Sequence, residues 1–148
     1  MIKVLIDAKN QLKLLPQFKL IATKILPLKY QTGSFIIEFE TVSQSKIQKL
    51  NAKYLKNNRP TDVISLRFDD AVSIKSIPQL LGKIYICRQE AKDNALDQKV
   101  SLSLEMKILF GHGLMHLIGF DHEKNRQDWN LAISSAKIKP ELVKNIIV

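Results

Sequence analysis

Hydrophobic positions along the chain recur with two periods, and the alternation between them lays out the elements. Residues 2–7, IKVLID, read as a short strand. From about Gln11 to Leu26, Leu12, Leu15, Phe18, Ala22 and Ile25 follow helical spacing, and Pro27 stops the run. SFIIEFET, residues 34–41, follows Gly33 and is rich in the β-branched and aromatic residues that favour a strand. Ser43 is placed to cap a helix reaching about Leu55. Its Ile47, Leu50 and Tyr54 are expected to face the core, with Lys46, Lys49, Lys53 and Lys56 on another stripe. The turn-rich KNNRPTD, residues 56–62, leads into a strand at 63–68, and a loop with Asp69, Asp70 and Pro78 precedes another at 82–88.

Two helices follow, at about 89–96 and 101–118. Gly119 is placed to end the second in the left-handed conformation that helix C-termini favour. A further helix is expected at about 126–136, and Pro140 breaks it before the apolar tail ELVKNIIV. There is no repeat, low-complexity tract or linker. The pattern predicts one α+β domain over residues 1–148, with a mixed sheet of about four strands packed with helices.

Composition narrows the setting. A chain of 148 residues can bury a self-supporting core, and 45% hydrophobic with 25% charged residues is ordinary for a globular protein. No apolar run is long enough to span a bilayer, so no membrane partner is expected. The first ten residues lack a signal-peptide pattern and Cys87 is the single cysteine, which excludes a disulfide framework; the reducing cytoplasm is the expected compartment. Twenty-three lysines and arginines against 14 acidic residues give a net charge of +9, which draws a protein toward polyanions such as nucleic acid. Cys87 and Trp129 read as packing residues.

The chemistry concentrates in HGLMHLIGFDH, residues 112–122, which holds all three histidines. The helix before Gly119 is apolar nearly all round, the signature of a central, buried helix, and histidines there are costly unless satisfied. His112 and His116 stand one turn apart and point the same way. Gly119 breaks the helix, so that His122 can return toward the pair. Three imidazoles converging from a helix and the following turn form a metal site. Zn2+, one ion per chain, suits such a nitrogen set and leaves a fourth position for water; other divalent transition metals are also compatible. Asp121 is placed to orient an imidazole or to act as a base. Glu105, seven residues before His112 on roughly the same helix face, is a second acid near the site. Gly111 and Gly113 fit a close approach of the backbone to a neighbour or ligand.

The same spacing frames the metzincin proteases, H-E-x-x-H-x-x-G-x-x-H, which need the glutamate as general base. Gly113 stands at that position, which leaves peptide hydrolysis a remote alternative.

The histidine block resembles the signature of the YbeY family of bacterial metal-dependent endoribonucleases, approximately H-G-x-L-H-L-x-G-[FY]-D-H. LNAKYLKNNRPTDVISLRF, residues 50–68, is similar to that family's L-N-x-x-Y-R-x-x-x-x-P-T-D-V-L-S-F, and GKIYI, residues 82–86, occupies the place of its G-D-I segment. The resemblance implies an α+β fold and metal ligation by His112, His116 and His122. It also implies cleavage of single-stranded RNA in 16S rRNA 3′-end maturation and ribosome quality control, with rRNA and the ribosome as partners. Met115 stands where the signature favours leucine, Leu55 stands where the pattern has arginine, Lys83 where it has an acid, and Leu66 where it has phenylalanine. Arg59 is the candidate phosphate contact in place of the missing arginine, and Lys53 and Lys56 are candidates for holding the strand. A non-catalytic RNA-binding ribosome-assembly factor is the alternative that Leu55 keeps open.

Overall fold

A computed structural model describes residues 2–6, 15–26, 34–68 and 79–119. Its elements are β1 (Ile2–Ile6), α1 (Leu15–Ile25), β2 (Phe35–Val42), α2 (Gln44–Leu55), β3 (Val63–Arg67), β4 (Gln79–Cys87), α3 (Arg88–Gln98) and α4 (Leu102–Leu117). Leu12, Pro27, the loop with Asp69, Asp70 and Pro78, the expected helix at 126–136 with Trp129, Pro140 and the tail lie outside the described residues, as do Asp121 and His122.

The sheet runs β1-β2-β4-β3, with β1/β2 and β2/β4 parallel and β3/β4 antiparallel, so the fold is α+β around a mixed sheet. Alternation assigns its two faces. Ile37 and Phe39 of β2 and Ile84 and Ile86 of β4 are buried on one side, under α1 and α4. There Phe18 of α1 stacks on Phe110 of α4 at 4.2 Å between ring centroids, and Phe39 meets both edge-on at 4.9 and 5.9 Å. Each such side chain stabilises the fold by roughly 1.5–3 kcal/mol through burial. The opposite face carries a smaller cluster, Val42, Ile47, Ile64 and Cys87, beneath α2. Beside it Glu38 and Glu40 of β2 pair with Lys83 of β4, at 3.9 and 2.8 Å, and Glu40 also takes Lys46 at 2.8 Å. The hydrogen bonds from Lys46 and Lys83 hold the Glu40 carboxyl below its usual range.

Local signals set most boundaries. Ser43 accepts from the Lys46 amide at 3.2 Å and Ser101 from that of Leu104 at 3.1 Å, capping α2 and α4 as hydroxyls before helices do. Gly119, at φ 81°, follows the end of α4. β4 begins at Gln79 rather than Gly82, because pairing with Phe35 of β2 extends the ladder past the apolar run. The expected inward face of α2 holds for Ile47 and partly for Leu50 but fails at Tyr54, which is 47% exposed. The buried stripe ends at Asn51, whose side-chain amide donates to the Arg59 carbonyl at 2.9 Å and draws the following turn back against the helix. Cys87 is buried, as a packing residue should be.

Candidate metal centre

α4 carries the histidines, and its fit to the sheet decides where they stand. Gly113 turns toward the strands: a Cβ there would lie 2.9 Å from Ile84 Cγ2 and 3.0 Å from Ser65 Oγ, and the Ser65 hydroxyl donates to the Gly113 carbonyl at 2.7 Å. Farther along, Gly82 of β4 leaves room for Leu117, whose side chain and the Leu66 carbonyl would both clash with an added Cβ. These close approaches fix the height of α4 along β3 and β4. They also answer for Gly113, which packs against Ile84 and Ser65. No side chain could act as a base from that position without displacing Ile84 and Ser65.

With the helix so seated, His112 and His116 leave it together. Their Nε2 atoms are 2.5 Å apart and their rings 4.5 Å between centroids, inclined at 29°. At that distance one ring donates its Nε2–H and the other accepts. His112 is buried and His116 exposed, so the pair reaches from the helix interior to solvent. Two imidazole nitrogens converging on one point, one from a buried and one from an exposed residue, are the donors a nitrogen-ligated divalent ion takes. Among the described residues no third histidine, cysteine or carboxylate joins them.

The other sequence candidates are not brought to this point. Glu105 shares the helix stripe but lies two turns away, about 10.5 Å along the axis. It is wholly buried and turned toward Asn94 of α3, whose amide reaches its Oε1 at 3.5 Å; among the described residues Oε2 has no hydrogen-bond partner. The same amide donates to Asp62 Oδ2 at 3.1 Å, linking two acids. Burial, aided by the Asp62 charge, pushes the Glu105 carboxyl up to about 7, and burial raises Asp62 as well. Lys53 lies in the last turn of α2, Lys56 and Arg59 belong to the turn after it, and all three are exposed. α2 packs on the sheet face of Ile64 and Leu66, whereas α4 packs on that of Val63 and Ser65.

Sequence reasoning missed Asn94 and the part played by Ser65. Asn94 had a legible signal: Ala91, Asn94, Ala95 and Gln98 form one stripe of α3, and a polar residue beside buried alanines needs partners. Ser65 had none, since its bond to α4 joins residues 48 apart.

Fold and site together describe an α+β protein built around a buried, histidine-bearing helix. The sequence model of the family described as Endoribonuclease YbeY matches residues 5–141. Endoribonuclease YbeY of Ureaplasma parvum serovar 3 is 42% identical over 87 residues, 59% of this chain and 54% of that protein. That of Aliarcobacter butzleri is 37% identical over 112 residues, 76% of this chain and 78% of the other. The solution structure of TM1509 from Thermotoga maritima has the same fold, with a TM-score of 0.56 at 24% identity, covering 99% of this chain and 89% of that one. The chain belongs to the YbeY family. It spans about half the length of the Ureaplasma relatives it matches.

Proposed function

We propose that the protein is a metal-dependent endoribonuclease that cuts single-stranded RNA in the cytoplasm, acting on the ribosome in 16S rRNA 3′-end maturation and quality control. The observation that carries this reading is the convergence of His112 and His116 on one point at the solvent edge of a buried helix, in a chain of this family. His112, His116 and His122 would hold one Zn2+ or a similar divalent ion. When bound, it supplies a Lewis acid for a phosphoryl oxygen and lowers the pKa of a water. The chain's own groups do the rest. His116, exposed, meets the incoming strand first. Asp121 orients an imidazole or takes a proton from the nucleophile, and Arg59, Lys53 and Lys56 neutralise phosphates. Among the described residues no helix is long and apolar enough to cross a membrane.

Leu55 favours a second reading. It is 56% exposed, with an apolar side chain where the family pattern has arginine, so a non-catalytic RNA-binding assembly factor is the competing function. Cleavage of a 5′-labelled single-stranded RNA decides between them. Metal-loaded wild type should cut, and chelated wild type and His116→Ala should not. Binding of RNA without cleavage by the loaded wild type would overturn the nuclease reading.

A further inference from the structure

The outer face of α2 departs from an ordinary solvated helix in composition. No acidic residue lies between Glu40 and Asp62, while Lys46, Lys49, Lys53, Lys56 and Arg59 all do. Like charges three and four residues apart destabilise a helix, and a face kept merely soluble mixes both signs. Lys46 is drawn to Glu40; among the described residues Lys49, Lys53, Lys56 and Arg59 form no ion pair. Lys56 also takes the left-handed conformation at φ 59°, a place where glycine strains less. Apolar surface lies within this charge: Tyr54 and Leu55 are exposed side by side, and the Lys53 ammonium sits 5.0 Å from the centre of the Tyr54 ring.

Cations tracking a backbone, with an aromatic ring set among them, are what a single-stranded nucleic acid requires: the cations meet phosphates and the ring stacks a base. An acidic protein could also meet these charges, but a row of cations three and four residues apart with a ring beside it matches the repeating phosphates and bases of a strand. We propose that Tyr54 is a base-stacking platform for single-stranded RNA, with Leu55 extending its apolar surface and Lys49, Lys53, Lys56 and Arg59 holding the phosphates on either side. The contact reads a π-face, so it holds the strand without selecting its sequence. This deepens the RNA-cleaving reading, and rests on it for the identity of the strand.

The test measures binding rather than cleavage, with chelated protein, so that the two readings fail separately. The probes are a short oligouridine and an abasic sugar-phosphate strand of equal length. Tyr54→Ala should weaken oligouridine binding at least about fivefold, leave the abasic strand unchanged and keep the salt dependence, while Tyr54→Phe restores affinity. Lys53→Ala combined with Lys56→Ala should weaken both probes and flatten the salt slope by about 0.7 per lysine. Equal losses on both probes for Tyr54→Ala, no loss at all, or an unchanged salt slope in the lysine variant would overturn the proposal. If RNA is cleaved normally while these binding results fail, the platform is wrong and the nuclease reading stands. If they hold and no RNA is cut, the reverse is true.

Discussion

Two helices carry the polar residues that matter here, against opposite backgrounds. In α4 eleven of the sixteen residues are buried and most of those are apolar, so buried His112 and Glu105 stand out as exceptions that the interior must accommodate, with His116 one turn on at the surface. In α2 the cations lie among other polar, exposed residues, and Tyr54 and Leu55 are the exceptions. A polar group in an apolar helix is costly, and the cost marks it in the sequence. A cation on a wet helix costs little, so α2 declares itself only through what is missing, its acids, and through apolar side chains left in water.

Truncating the two helices should separate them most widely. Phe110→Ala, in the aromatic cluster beneath α4, is expected to destabilise by about 3–5 kcal/mol in urea unfolding. Lys49→Ala on α2 should stay within about 0.5 kcal/mol; a comparable loss at both positions would erase the contrast. Next in size is Gly113→Ala, whose methyl would press on Ile84 and Ser65: about 1–3 kcal/mol is expected, together with weaker metal binding as α4 lifts from the sheet.

Glu105 sharpens the comparison from inside α4. Its carboxyl titrates at about 7 in the folded protein against 4.5 ordinarily, so the folded state binds the extra proton. Its contribution is fully present below about pH 4.5 and is lost as pH rises through about 7, a change on the order of 3 kcal/mol. Comparing unfolding of wild type and Glu105→Gln across that range checks it: the variant should show the shallower decline, and parallel profiles would count against a buried neutral acid. The smallest effect belongs to α2. Lys49→Glu replaces a like-charged pair with a Glu-to-Lys53 pair at i, i+4 and should raise stability by about 0.2–0.5 kcal/mol while weakening RNA binding. Improved stability with unchanged RNA affinity would return the stripe to the solvent.

Legibility in the sequence followed the same division. The histidine pair was readable because their spacing and the surrounding apolar run are both local, and so were the cap at Ser43 and the break at Gly119. Tyr54 was misplaced because helical periodicity continues past the point where the core ends, and only the return turn through Arg59 fixes that point. The acid pair of Asp62 and Glu105 depends on Asn94 arriving from a third segment. The reason for Gly113 lies in two strands that sequence spacing does not bring near it. Asp121 and His122, the rest of the expected centre, fall outside the described residues.

If α4 presents its two imidazoles to a metal, the metal content of the purified protein will show it. Wild type should carry about one divalent transition ion per chain, and His112→Ala and His116→Ala, each shown to be folded by circular dichroism, should carry almost none. Wild type unable to hold a metal after reconstitution, or full occupancy in both variants, would mean that the histidine pair is not a metal centre.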